Sequence, residues 1–161
     1  MNIAIVDDVQ METKAFIHSA KEYGALNRIE IDVTCFGSAE EFLADYSPLK
    51  YTLIIMDIYM DGISGLEAAA KVKERDRDAL IVFLSSSEEH YPDALKLHAY
   101  DFLKKPTTKD RIFRLFDDIT SKTTEPCSNL KFTCGKETIR LPYTSIASVT
   151  SSGHYSEITD E

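Results

Sequence analysis

The run Leu53-Ile54-Ile55-Met56-Asp57 constrains this chain more than any other stretch. Four consecutive apolar residues read as a strand buried on both faces, as in a parallel sheet covered by helices on either side. The run ends in a carboxylate. An ionised group is costly inside an apolar layer, so Asp57 must stand where the strand leaves the sheet and meets water. Asp61-Gly62 then offer a turn, and a helix restarts after Ser64. The carboxyl end of a central strand is where open α/β sheets place their chemistry.

The chain on either side repeats the same grammar. Asn2 to Val6 is a short apolar strand ending in Asp7-Asp8, and Asp8 is placed to cap a helix from about Val9 to Tyr23, closed by Gly24. Ile29 to Phe36 alternates Ile31, Val33 and Cys35 against Glu30, Asp32 and Thr34, which suits an edge strand. Ser38-Ala39-Glu40-Glu41 reads as a capping box for a short helix ending by Pro48, and Ser64-Gly65-Leu66-Glu67 as another for a helix to about Arg75. Ala79 to Leu84 is a fourth strand ending in Ser85-Ser86-Ser87. Pro92 suits the first turn of a helix through Leu97. Tyr100 to Leu103 is a fifth strand, ending in Lys104-Lys105-Pro106. Thr107-Thr108 then cap a helix with Ile112, Leu115, Phe116 and Ile119 on one stripe. Five strands alternating with five helices predict a doubly wound α/β fold: a parallel sheet, helices on both faces, right-handed crossovers.

After Ser121 the texture changes. Residues 122–129 read as a linker, and residues 130–161 are β-rich, with strands expected over 130–134, 138–141, 146–149 and 155–158. That segment is far shorter than a typical domain of about 100 residues. The chain has 161 residues and a formal charge of −9, nearly all of it before residue 122, so this part should repel nucleic acid rather than attract it. No apolar run approaches the roughly 20 residues needed to span a bilayer, and the start lacks a signal-peptide pattern, which implies a cytoplasmic protein without membrane attachment. Cys35, Cys127 and Cys134 lack metal-ligand spacing and read as reduced thiols.

The strand ends carry Asp7-Asp8, Asp57, Ser85 and Lys105, all on one rim of one sheet. A carboxylate trio there would repel itself, and a divalent cation with oxygen ligands relieves that; Mg²⁺ suits, since it also accepts a phosphate oxygen. Phosphoryl transfer needs an in-line nucleophile, a metal and a second cation for the equatorial oxygens, and a hydrogen-bond donor. Asp57 is the expected nucleophile, Lys105 the cation and Ser85 the donor, with the metal among Asp7, Asp8 and Asp57. Ser86 or Ser87 could replace Ser85. Lys104 competes with Lys105, although the register of Pro106 favours Lys105.

Over residues 1–121 this pattern resembles the receiver domain of bacterial two-component response regulators. The resemblance implies a flavodoxin-like sheet of order 2-1-3-4-5 and makes Asp57 the phosphoacceptor, Asp7 and Asp8 the acidic pair, Ser85 and Phe102 the switch residues, and Lys105 the lysine. It further implies a cis Lys105-Pro106 bond, a metal contact from the Tyr59 backbone carbonyl, a sensor histidine kinase as phosphoryl donor, and dimerisation through the face of helix four, strand five and helix five. Asp61 stands where many relatives carry proline. The tail, from Leu130-Lys131-Phe132 through Thr138-Ile139-Arg140-Leu141-Pro142 to Ser151-Ser152-Gly153-His154-Tyr155, resembles about the first third of a LytTR-type DNA-binding domain, with His154 in a loop that contacts DNA in relatives. The expectation is a phospho-switch controlling transcription through an output domain truncated here, and not a turnover enzyme. Alternatives are a hydrolase with an aspartyl-phosphate intermediate, a switch acting through protein contacts only, and a flavodoxin-like cofactor binder. The last would need a Gly-, Ser- or Thr-rich phosphate cradle where Asp7-Asp8-Val9-Gln10 stands.

Overall fold

A computed structural model describes residues 1–124, 129–134, 137–142, 146–152 and 155–160, with side chains through residue 121 apart from Gln10 and Glu12. The strands are β1 (Asn2–Val6), β2 (Asp32–Phe36), β3 (Leu53–Asp57), β4 (Ile81–Ser85) and β5 (Asp101–Lys104). They alternate with α1 (Gln10–Asn27), α2 (Ala39–Asp45), α3 (Gly65–Arg75), α4 (Tyr91–Lys96) and α5 (Lys109–Thr124). All five strands pair in parallel, in the order β2-β1-β3-β4-β5. The doubly wound fold is therefore as expected, with β2 at an edge.

The central strands are buried on both faces. Every residue of β3 and β4 is buried, and Leu53, Ile54, Ile55 and Met56 are each at most 1% exposed. Each such side chain contributes on the order of 2 kcal/mol on leaving water. Alternation along the strands splits them between two layers. Ala4, Val6, Ile54, Met56, Ile81 and Phe83 share one cluster with Phe42 of α2 and Ala68, Ala69 and Val72 of α3. On the other face Leu84 meets Ala15 and Phe16 of α1 and Ile112 of α5 around one small cavity.

Local chemistry explains most element ends. The Ser64 hydroxyl accepts from Glu67 N and the Glu67 carboxylate accepts from Ser64 N, a complete capping box that starts α3. At α2 the Ser38 hydroxyl accepts from Glu41 N, but Glu41 returns to Gly37 N rather than to Ser38, so the expected box is half formed. α2 ends at Asp45, ahead of Pro48.

Three expectations need correction. α1 does not stop at Gly24; it runs to Asn27 and ends on Arg28, whose φ of 57° is left-handed. Gly24 is instead a point of close approach, because a Cβ there would lie 2.6 Å from the Ile29 carbonyl oxygen. Strand β2 starts at Asp32 rather than Ile29, since Ile29 N is already used on Gly24 O. Nor does Asp8 cap α1: Val9 is the capping residue, and its N–H donates to Asp7 Oδ1 at 2.7 Å.

The chain divides into two compact units, Met1–Arg114 and Leu115–Glu161. In the second, α5 continues to Thr124, into the stretch 122–129 expected to be linker, and two antiparallel hairpins follow: β6 (Asn129–Cys134) with β7 (Glu137–Pro142), and β8 (Ile146–Ser152) with β9 (Tyr155–Asp160). His154 lies outside the described residues.

Candidate functional site

Because the strands are parallel, their carboxyl ends open on one rim. There the side chains of Asp7, Asp8 and Asp57 each offer an oxygen within 4.8 Å of the others. Asp7 and Asp57 are buried and Asp8 is exposed, so the cluster has one wet side through which a ligand could enter. Lys105 reaches in from the end of β5: its Nζ donates to Asp7 Oδ2 at 2.9 Å and to Asp57 Oδ2 at 2.7 Å. Lys104 instead points outward to Glu88 at 3.0 Å. Lys105 is thus the lysine of the cluster. Its peptide bond to Pro106 is cis.

The geometry also separates the three serines. Ser85 closes β4 fully buried, whereas Ser86 is exposed. Ser85 O accepts from Lys105 N at 2.8 Å, which ties the serine strand to the lysine strand at the rim. The Ser85 hydroxyl accepts from Ser87 N at 3.2 Å, so its own proton is not used in that bond. Phe102 sits on β5, partly buried against the core, with the Tyr91 ring edge-on at a centroid distance of 5.5 Å.

Burial raises the Asp57 carboxyl above its ordinary range; the Lys105 ammonium and the Tyr59 N–H oppose that shift, while the Asp7 charge adds to it. Tyr59 N donates to Asp57 Oδ1 at 3.1 Å. One carboxylate oxygen is therefore engaged by Tyr59 and the other by Lys105. The donors of the trio are hard carboxylate oxygens, partly solvated, on three side chains. That set fits a Mg²⁺ ion that keeps some of its waters.

Two supporting residues escaped sequence reasoning. A Cβ at Gly65 would fall 1.9 Å from the Asp57 carbonyl oxygen, so only glycine lets α3 start this close behind the acidic residue. Glu40, from α2, accepts from Ile63 N at 2.8 Å and holds the far end of the loop that begins at Ile58. That backbone bond also keeps the Glu40 carboxyl below its usual range. The Gly65 and Glu40 contacts are made across space, and neither leaves a periodic or motif signal.

Comparison with known proteins agrees with this geometry. A positive alginate biosynthesis regulatory protein of Pseudomonas aeruginosa is 30% identical over 110 residues, which is 68% of this chain and 43% of that protein. The sensory transduction protein LytT of Oceanobacillus iheyensis is 28% identical over 116 residues, 69% of this chain and 44% of its own length. The chain thus spans less than half the length of these relatives. The solved response regulator TrrA of Thermotoga maritima, in complex with Mg²⁺-BeF, superimposes with a TM-score of 0.64 at 25% identity, over 73% of this chain and 97% of that one. The response regulatory domain of protein mrkE from Klebsiella pneumoniae gives 0.68 at 21% identity, over 76% and 97%, a likeness of fold alone. The family model for the response regulator receiver domain matches residues 3–117. A five-stranded 2-1-3-4-5 sheet with an acidic trio and a lysine at its rim, matched over that span, places the chain in the response regulator receiver domain family.

Proposed function

We propose that the chain accepts a phosphoryl group on Asp57 from a sensor histidine kinase and switches conformation to control a transcription-regulating output. The observation that carries this reading is the Lys105 ammonium held between Asp7 and Asp57 within one trio of carboxylates. In the step itself an Asp57 carboxylate oxygen attacks phosphorus. A P–O bond forms as the donor histidine's P–N bond breaks, and the imidazole leaves with that electron pair. Lys105 balances charge gathering on the phosphoryl oxygens, and the Ser85 hydroxyl donates to one of them. Asp7, Asp8 and Asp57, with the Tyr59 carbonyl, would hold Mg²⁺, which supplies further neutralisation of that charge. Ser85 and Phe102 then relay the new state, Ser85 toward the phosphoryl group and Phe102 into the space vacated.

The names of the relatives, a LytT and a biosynthesis regulator, support a DNA-binding output, as does the LytTR-like order of residues 130–161. DNA contact, through His154 among others, belongs to the complete output domain. Exposed Tyr91 and Leu95 on α4 favour a homodimer through the α4–β5–α5 face. Among the described residues no helix is long and apolar enough to cross a membrane, in keeping with a cytoplasmic role. The chain is read as a phosphoacceptor that dephosphorylates slowly rather than as a turnover enzyme. A hydrolase of this chemistry would need a second acid two residues past the nucleophile, where Tyr59 stands.

The test is incubation of the purified chain with a small acyl-phosphate donor, with and without Mg²⁺. The expected result is Mg²⁺-dependent incorporation of one phosphoryl group and none in Asp57→Asn. Equal incorporation by that variant would overturn the assignment.

A further inference from the structure

Residues on either side of the β4–α4 junction make two separate ring contacts. Tyr91, the first residue of α4, packs its ring on Phe102 of β5 at 5.5 Å. His90, its neighbour in the chain, packs its ring on Tyr59 at a centroid distance of 5.4 Å and an interplanar angle of 56°. The first contact belongs to the side of the site occupied by Ser85 and Phe102. The second belongs to the acceptor loop, and the mechanism above makes no use of it.

His90 is firmly joined to the helix it precedes. Its carbonyl accepts from Asp93 N at 3.1 Å and from Ala94 N at 3.0 Å, which are the first bonds of α4. Its ring Nδ1 lies 3.5 Å from Asp93 Oδ2, and the other oxygen of Asp93 takes Lys96 Nζ at 2.8 Å. Tyr59 is as firmly joined to the acceptor, through the bond from its N–H to Asp57 Oδ1. A continuous path therefore runs from the Asp57 carboxylate, through the Tyr59 backbone and ring, to the His90 ring and the first turn of α4. A helix of only six residues has few bonds with which to resist a push on its first turn.

We infer that His90 is a positioning residue that couples the state of Asp57 to the head of α4 through the Tyr59 ring, as a route distinct from Ser85 and Phe102. This rests on Asp57 being the phosphoacceptor. Occupying Asp57 changes the charge on the carboxyl group whose Oδ1 accepts from Tyr59 N–H and so shifts the Tyr59 backbone. The ring moves with it, and His90 carries that displacement into α4. No change in protonation is required, because the contact is between ring faces and edges.

The full chain with Mg²⁺ and beryllofluoride, a stand-in for the acyl phosphate, tests this. The readouts are beryllofluoride affinity and the displacement of the Ala94 and Leu95 amide resonances on binding. Wild type should show that displacement. His90→Ala should lose more than half of it, with affinity changed by less than about threefold, as expected for a site outside the ligand contacts. His90→Phe, which keeps the ring and removes the bond to Asp93, should retain most of it. Tyr59→Leu approaches the contact from the other side and should reproduce the loss, so the test survives if His90→Ala fails to fold. A full wild-type displacement in both His90→Ala and Tyr59→Leu would overturn the inference while leaving the phosphoacceptor intact. So would His90→Phe losing as much as His90→Ala, since the contact of Nδ1 with Asp93 rather than the ring packing would then be responsible. A wild-type chain that bound no beryllofluoride would remove the phosphoacceptor and the inference together.

Discussion

A carboxylate at the end of an apolar strand is in a contradictory position: its backbone belongs to the core and its charge to water. Asp57 is 4% exposed and its carboxyl is pushed up chiefly by that burial. The folded chain therefore holds this proton more readily than the unfolded chain does. Ionised Asp57 costs stability at neutral pH, and the cost is relieved as pH falls through its raised titration. In chelator at neutral pH, Asp57→Asn should melt higher than wild type by roughly 3 °C, a gain of about 1 kcal/mol. The difference should shrink as the solution is acidified and vanish below the ordinary carboxylate range; thermal melts of both proteins across pH would show it. At this scale the sequence was informative wherever a residue was out of place for its surroundings. Asp7 and Asp57 stand out because a charge ending an apolar run must have a reason. Sequence alone does not tell Ser85 from Ser86 or Ser87; in the fold Ser85 is buried at the end of β4, Ser86 is exposed and Ser87 half-buried. Gly65 left no signal at all, since its constraint comes from Asp57 folding back against it.

At the scale of elements, α1 shows how packing overrides propensity. Glycine near the end of a helical pattern ordinarily marks a stop. Here the helix passes through Gly24 and finishes on Arg28 in the left-handed region, while Gly24 makes room for the Ile29 backbone. Two substitutions should therefore act against their usual signs. Arg28→Gly should stabilise the domain by about 1 kcal/mol by relieving the left-handed strain. Gly24→Ala, normally favourable inside a helix, should destabilise it by roughly 1–3 kcal/mol through collision with the Ile29 carbonyl. Denaturant midpoints at unchanged slope would measure both. The same contact explains the late start of β2, because Ile29 looks strand-like by composition yet gives its N–H to α1. The capping box at Ser64, by contrast, was readable because both partners lie within one turn of sequence.

At the scale of the whole molecule, alternation of strands and helices implied a parallel sheet, but the lateral order 2-1-3-4-5 came only from family resemblance. Apolar periodicity says that a strand is buried, not which neighbour it has, and buried strands β1, β3 and β4 look alike in this respect. The lateral order is nonetheless what brings Asp7 beside Asp57 and Ser85 beside Lys104. The assembled rim makes a prediction that no single strand could. Mg²⁺ should raise the melting temperature progressively with its concentration, by an amount equivalent to about 2.7 kcal/mol at a hundredfold excess over Kd. Asp57→Asn should lose most of that response, and the same ionic strength of NaCl should not reproduce it, even though the chain carries a charge of −9.

The central claim, that Asp57 itself carries the phosphoryl group, is tested most directly by finding the modified atom. Borohydride cleaves an aspartyl phosphate to homoserine, so the chain phosphorylated by an acyl-phosphate donor in Mg²⁺ can be reduced, digested and read by mass. Homoserine at position 57 and nowhere else is the expected result. Phosphorylated chain with Asp57 unchanged, or with homoserine at Asp7 or Asp8 instead, would contradict it.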